Sequence, residues 1–416
     1  NFQDNYLHYL SLILLLNFII SACDKNDKIP RAVIIALCDY SKGFNRINHS
    51  KLITRLSDWG VPGWLLKILI SYLTGRSMVL KYDGAVSDPQ PLPGGSVQGS
   101  LLGIIFFVVE LSDAGMPVPD QSAGDNETDV ISLDSPLPAV TDTEIRVKYV
   151  DDQTQGEVVQ LDAQLGLHSE QAGPRLYRDR HGHSLPVEKS QLQTRLNQIQ
   201  QYAETHQLKI NRDKTKVMTF KFSNKYDYLP KLSIGQEQLE VVESTKLLGV
   251  IISSDLKWNL HTEHVVKKAK KRLWAIRRLS KLGASIPTLI EQYHLTCRSV
   301  LEQACPVFSG ALSQTNIEAF EDVQKMALKI ILKGNYRNYE DALEVLGLDT
   351  LEERRRKICT KFAKKNYKHP KLKQLFKSKQ SMGTRSGVKF QETQYKKSRA
   401  QNGPVSYLIR LLNNMP

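Results

Sequence analysis

Three absences bound this sequence of 416 residues. Its five cysteines (Cys23, Cys38, Cys297, Cys305 and Cys359) are isolated, with no C-x-x-C pair and no histidines at metal-ligand spacing. That excludes a zinc knuckle and a disulfide framework, and points to a reducing, intracellular setting, nucleus or cytoplasm. No run reads as a membrane span. The nearest, Leu7–Cys23, has 17 residues, includes His8 and Asn17, and follows Asp4 rather than basic residues. A span needs about 20 apolar residues and a secretory leader a positive start, so a buried helix is the reading. Finally, not one Lys or Arg lies between Lys81 and Arg146, against eleven Asp and Glu. The middle of that stretch, residues 113–144, is rich in Pro, Gly, Ser and Asp, lacks periodicity, and reads as a long acidic loop.

What is present fits a folded protein of two to three domains, with 41% hydrophobic and 24% charged residues. The net charge of +14 sits in one block: residues 351–400 carry 17 Lys and Arg against three Glu, and the rest of the chain is neutral. Such a block is either a solvated tail or an arm that contacts phosphates, and the second reading is preferred. Ser50 is placed to cap a helix that stops at Gly60, and Pro62 to start another that ends at Gly75. Asp83-Gly84 marks a hairpin turn. A further loop spans Gly173–Pro186 and precedes a helix at Gln191–His206. In His264–Leu282, Val266, Ala269, Leu273 and Ile276 mark an apolar face; Lys267, Lys268, Lys270, Lys271, Arg272, Arg277 and Arg278 fill most of the rest.

Two segments carry chemistry. Ala32–Cys38 is a continuous apolar run of strand length, ended by Asp39; a carboxylate there needs a metal or an Arg to compensate. Ile145–Gln160 reads as a β-hairpin with Asp151-Asp152 at its turn. An adjacent Asp pair is by itself most often a solvated loop. Two ionised carboxylates repel, however, and are best tolerated beside a divalent cation. If Asp39 converges with the pair, three carboxylates can hold two Mg²⁺ for an in-line phosphoryl displacement.

Five segments, in order, resemble the reverse transcriptases of non-LTR (LINE-type, jockey-like) retrotransposons. CDYSKGFNRINH (Cys38–His49) is similar to their first palm motif, and PGGSVQGSLLGIIFF (Pro93–Phe107) to the second. KYVDD (Lys148–Asp152) resembles the metal-binding hairpin, LKINRDKTKVMTF (Leu208–Phe220) the motif with an Asn-x-x-Lys-Thr core, and KLLGVIISSDLKW (Lys246–Trp258) the primer-grip hairpin. The resemblance implies an α+β right-hand polymerase with a ferredoxin-like palm, truncated fingers, a helical thumb and a basic C-terminal extension. Its expected boundaries are 1–255, 256–348 and 349–416. It also implies a fragment without the endonuclease and with little of the fingers, of which Arg31 and Lys42 remain. The implied function is RNA-directed DNA synthesis, with an RNA template, a DNA primer, dNTPs and two Mg²⁺ ions. The alternative is an inactive nucleic-acid-binding relic of such an element.

The implied roles follow residue by residue. Asp39 and Asp151 would bind both metals, with Asp152 as a third carboxylate. Phe44 would exclude a 2′-hydroxyl. Lys42, Gln98, Gly99 and Tyr149 would line the nucleotide and template pocket. Lys214, in competition with Lys216, would neutralise the leaving pyrophosphate. The basic helix would be a thumb face on the duplex backbone. The chain departs from much of the family at Gly43, Asn45 and Ser96-Val97, where Ala, Asp and a Gly- or Pro-containing turn are usual.

Overall fold

The computed structural model describes residues 6–24, 31–41, 43–96, 100–111, 139–140, 144–149, 152–160, 176–178, 184–186, 191–222, 231–377 and 390–414. Most of the acidic loop lies outside these. The chain divides into two compact units, one of residues 30–219 and 223–242, the other of 1–29, 220–222 and 243–416. Helices and strands are mixed, as an α+β chain requires.

The first unit is built on a sheet with Arg31–Cys38 at its centre. That strand is buried along nearly its whole length, which explains its unbroken apolar sequence. It pairs antiparallel with Asp152–Gln160, which pairs antiparallel in turn with Glu144–Tyr149. On its other side lies Lys216–Lys221. Helices Leu101–Glu110 and Gln191–Thr205 supply much of the apolar cover, through Phe106, Phe107, Leu192, Leu196 and Ile199. Asn48, rather than Ser50, caps helix His49–Asp58, its side chain accepting from Lys51 N–H. The second helix starts at Gly63, just after Pro62. Asp83 and Gly84 both adopt positive φ between two short strands, the turn their sequence calls for. The expected loop 173–186 contains instead a small antiparallel pair, Leu176–Arg178 with Ser184–Pro186.

The second unit is mainly helical. A two-strand hairpin, Ser244–Leu247 with Val250–Ser253, turns on Leu248 and Gly249, both at positive φ. Helix Asn259–Lys281 follows and packs against Gln314–Leu332. Its buried stripe is Val265, Ala269, Leu273, Ile276 and Ser280, so Val265 takes the core position expected of Val266. Helix Tyr6–Cys23 is buried, as its sequence predicts, and packs on Pro404–Asn413 and Cys305–Phe308. The approach is tight, because a Cβ on Gly403 would come within 2.8 Å of Ile20, and Asp24 Oδ2 accepts from the Lys396 N–H at 2.7 Å. No helix among the described residues is long and apolar enough to cross a membrane.

The basic block is not a free tail. Thr350 and Glu353 form a capping box that starts helix Leu351–Asn366, whose Leu351, Arg355, Cys359, Phe362 and Ala363 are buried. Arg354 chelates the buried Glu302 through Nε and Nη2, while Arg355 lies 5.0 Å over the Phe320 ring. These cations serve the core rather than solvent. Charge counting along the sequence cannot separate them from exposed neighbours, since Glu302 and Phe320 are remote in sequence.

Candidate active site

Asp39 sits at the C-terminal end of the central strand, and its backbone is tied to the Leu208–Phe220 motif. Its N–H donates to Thr215 Oγ1 at 3.3 Å and its carbonyl accepts from Asn211 N–H at 2.7 Å. The fully buried Thr215 hydroxyl donates onward to the Asn211 carbonyl at 2.8 Å. Ser41 N–H donates to the Lys209 carbonyl, also at 2.7 Å. The Asn211 side chain accepts from Lys214 N–H, three residues on, at 3.3 Å, a local bond that fixes the turn carrying the lysine. Lys214 Nζ then lies 3.5 Å from Asp39 Oδ2, with the lysine 69% and the aspartate 20% exposed. In solvent that contact is worth at most about 1 kcal/mol. It is a loose pairing that another charge can displace. Lys216 is occupied elsewhere, in an ion pair with Glu240. Beside Asp39, burial pushes the Cys38 thiol up to about 12, which keeps it an inert packing group.

The pairing register carries Asp39 towards the hairpin. Cys38 stands opposite Gln153, so Asp39 and Asp152 are the next residues along their chains at the same end of the sheet. Tyr149 pairs with Asp152, leaving Val150 and Asp151 as the two-residue connection, which lies outside the described residues. Among the described residues no three potential metal ligands cluster, as the proposed set needs Asp151. Its hard oxygen donors are the kind Mg²⁺ takes.

Phe44 belongs to a short 3-10 turn, Gly43–Arg46. Its ring stacks on Phe107, centroids 4.8 Å apart. The second glycine-rich motif docks on the same turn: Ser96 N–H donates to the Phe44 carbonyl at 2.7 Å and Gly95 N–H to the Ile47 carbonyl at 2.9 Å. At Gly95, φ is +79° and a Cβ would meet Phe44 and Asn45 backbone at 2.9 Å, so only glycine fits. The Gly95 carbonyl is engaged by His49 Nε2 at 2.8 Å. Lys42, Gln98 and Gly99 lie outside the described residues. In the helical unit, Lys267, Lys268, Lys270, Lys271, Arg277 and Arg278 are exposed, whereas Arg272 turns inward and donates to the Thr296 carbonyl at 2.7 Å.

The chain is 22% identical over 340 residues to the RNA-directed DNA polymerase from mobile element jockey of Drosophila melanogaster; the match covers 80% of this chain and 32% of that protein. The chain is similar to a non-LTR reverse transcriptase. It spans about a third of the length of that relative. No protein-family model matches it. A chain of the telomerase from Candida albicans, solved with the TWJ fragment of telomeric RNA, aligns at a TM-score of 0.33 and 10% identity. That alignment covers 90% of this chain and 54% of that one, a likeness too loose to bear on the fold.

Within this reverse-transcriptase-like chain, the departure at Gly43 has a physical cause. A Cβ there would fall 2.5 Å from Phe107 Cε2, inside the ring's contact distance. Phe107 therefore fills the space that an alanine methyl would take. Sequence reading misses Thr215, Asn211 and Phe107 as supports of Asp39, Lys214 and Phe44. The available signal was weak: Thr215 and Asn211 flank the lysine inside one motif, and Phe107 ends another.

Proposed function

We propose that the chain is an RNA-directed DNA polymerase, with the sheet-based unit as its palm and the helical unit as its thumb and basic extension. The observation that supports this reading is the strand register, whose last pair, Cys38 opposite Gln153, puts the chain positions of Asp39 and Asp152 next at the same end of the sheet. Asp39, Asp151 and Asp152 would hold two Mg²⁺, which supply Lewis-acid stabilisation of attacking and leaving oxygens when bound. The chain's own residues do the positioning. Thr215 and Asn211 fix the Asp39 backbone, so its carboxylate needs little reorganisation. Lys214 is near enough to exchange its loose contact with Asp39 for the charge released on pyrophosphate. Phe44, backed by Phe107, presents a ring to the sugar of an incoming dNTP, and Tyr149 borders the hairpin turn. Template, primer and nucleotide are the ligands this scheme requires, in the nucleus or cytoplasm.

Primer extension on poly(rA)·oligo(dT) tests the reading. Mg²⁺-dependent incorporation of dTTP, abolished by Asp39→Asn without loss of template binding, is the expected result. Template binding with no extension in any divalent metal would instead make the chain a nucleic-acid-binding relic.

A further inference from the structure

The cationic face of helix Asn259–Lys281 carries a ring that phosphate contacts alone do not call for. Trp274 is 66% exposed. At 100° per residue, Lys267, Lys270, Lys271, Arg277, Arg278 and Lys281 all project within about 60° of its direction, over a length of about 21 Å. Among the described residues none of the six joins an ion pair. Glu263 is the helix's one acid and projects on this same side, beside a shallow concavity that it lines with Val266, Lys267, Lys270 and Lys271. Opposite, Ala269, Leu273 and Ile276 are buried and Arg272 is tied to the Thr296 carbonyl, so the ring stands on a fixed element.

Like charges three and four residues apart destabilise a helix, and a large apolar ring in water gains nothing by exposure. One ligand relieves both. A polynucleotide brings phosphates to the cations and a flat base to the indole, and every base has a face to stack on. An acidic peptide would satisfy the charges and leave the ring without a planar partner.

We propose that Trp274 is a base-stacking contact for nucleic acid, seated among the Lys and Arg that hold its phosphates. The assignment rests on reading the chain as a nucleic-acid polymerase, and it names a contact which that reading does not require. The two contributions separate experimentally. Stacking is worth about 5- to 150-fold in affinity per base, and involves no counterion release. Each phosphate neutralised adds about 0.7 to the slope of log affinity against log salt on a single strand.

The test uses the full chain carrying Trp64→Phe, which removes the other strongly exposed indole. Oligo(dT) is titrated at several salt concentrations, with tryptophan fluorescence and filter binding as readouts. The expected results are quenching on binding, about 5- to 150-fold weaker binding in Trp274→Ala with an unchanged salt slope, and near-parental binding in Trp274→Phe. Lys270→Ala should instead lower the slope. Salt-dependent binding indifferent to Trp274→Ala, or a slope that falls with it, would overturn the stacking assignment alone. So would competition by poly-glutamate as strong as by an oligonucleotide of equal charge. Absence of any salt-dependent binding would overturn the polymerase reading as well.

Discussion

Gly43→Ala should destabilise the sheet-based unit, against the usual sign of a Gly→Ala change. Gly43 has no positive φ to protect, so the substitution would ordinarily stabilise by about 0.4–1 kcal/mol through the unfolded chain. Here the new methyl would lie 2.5 Å from Phe107 Cε2, about 1 Å inside the 3.5–4.0 Å at which carbon atoms rest. Phe107 is fully buried and stacked on Phe44, so it cannot swing into solvent. Overpacking of this kind costs about 1–3 kcal/mol, which outweighs the gain. Phe107→Leu alone should cost about 1–2 kcal/mol in lost packing. The two together should fit, because the smaller side chain vacates the space the methyl needs. The double variant should therefore be more stable than the summed single effects by about 1–3 kcal/mol. Urea unfolding of the full chain, compared by midpoint at constant slope, measures the cycle. Additivity within about 0.5 kcal/mol would refute the claim that Phe107 occupies the methyl's place.

Thr215→Val removes the hydroxyl that accepts from Asp39 N–H and donates to the Asn211 carbonyl; it should cost about 1–3 kcal/mol and, if the proposed metal site is right, lower polymerisation about 10- to 100-fold by loosening the Asp39 carboxylate. Unchanged extension rates in a folded variant would reduce Thr215 to a structural role. Phe44→Ala should admit ribonucleotides, read as rNTP incorporation by primer extension; exclusion equal to the parent's would leave Phe44 as core. Burial, with His264 adding, holds His261 down at about 4. Its stabilising contribution is therefore complete above about pH 6.5 and is lost as pH falls towards 4, by up to about 3 kcal/mol. His261→Gln should flatten the loss of urea resistance between pH 7 and 5; an unaltered pH dependence would assign acid lability to other groups.

Legibility varied with how local each cause was. The central strand and its terminal aspartate could be read directly, because burial on both faces leaves an unbroken apolar run that only a special residue ends. The Asp83-Gly84 and hairpin turns were legible for the same reason, their chemistry lying within two residues. Partners distant in sequence were not legible. Nothing around Arg354 announces Glu302, and nothing in Leu7–Cys23 announces the helix Pro404–Asn413. That is why a block reading as a phosphate-binding arm proves partly core, and why deleting residues 351–416 would remove packing as well as charge. At the candidate site, residues bearing carboxylates and rings were found from motif spacing. Their supports, Thr215 and Phe107, look like ordinary strand and helix residues until the register is known.

The central claim is that Asp39 and the hairpin pair form one divalent-metal site. Mn²⁺ binding to the full chain, with primed template and dTTP present, tests it by electron paramagnetic resonance. Asp39→Asn and Asp151→Asn should each remove the same spin-coupled pair of ions, since paired catalytic metals sit about 4 Å apart. Two variants that abolish separate, uncoupled sites, or that leave Mn²⁺ binding as in the parent, would contradict it.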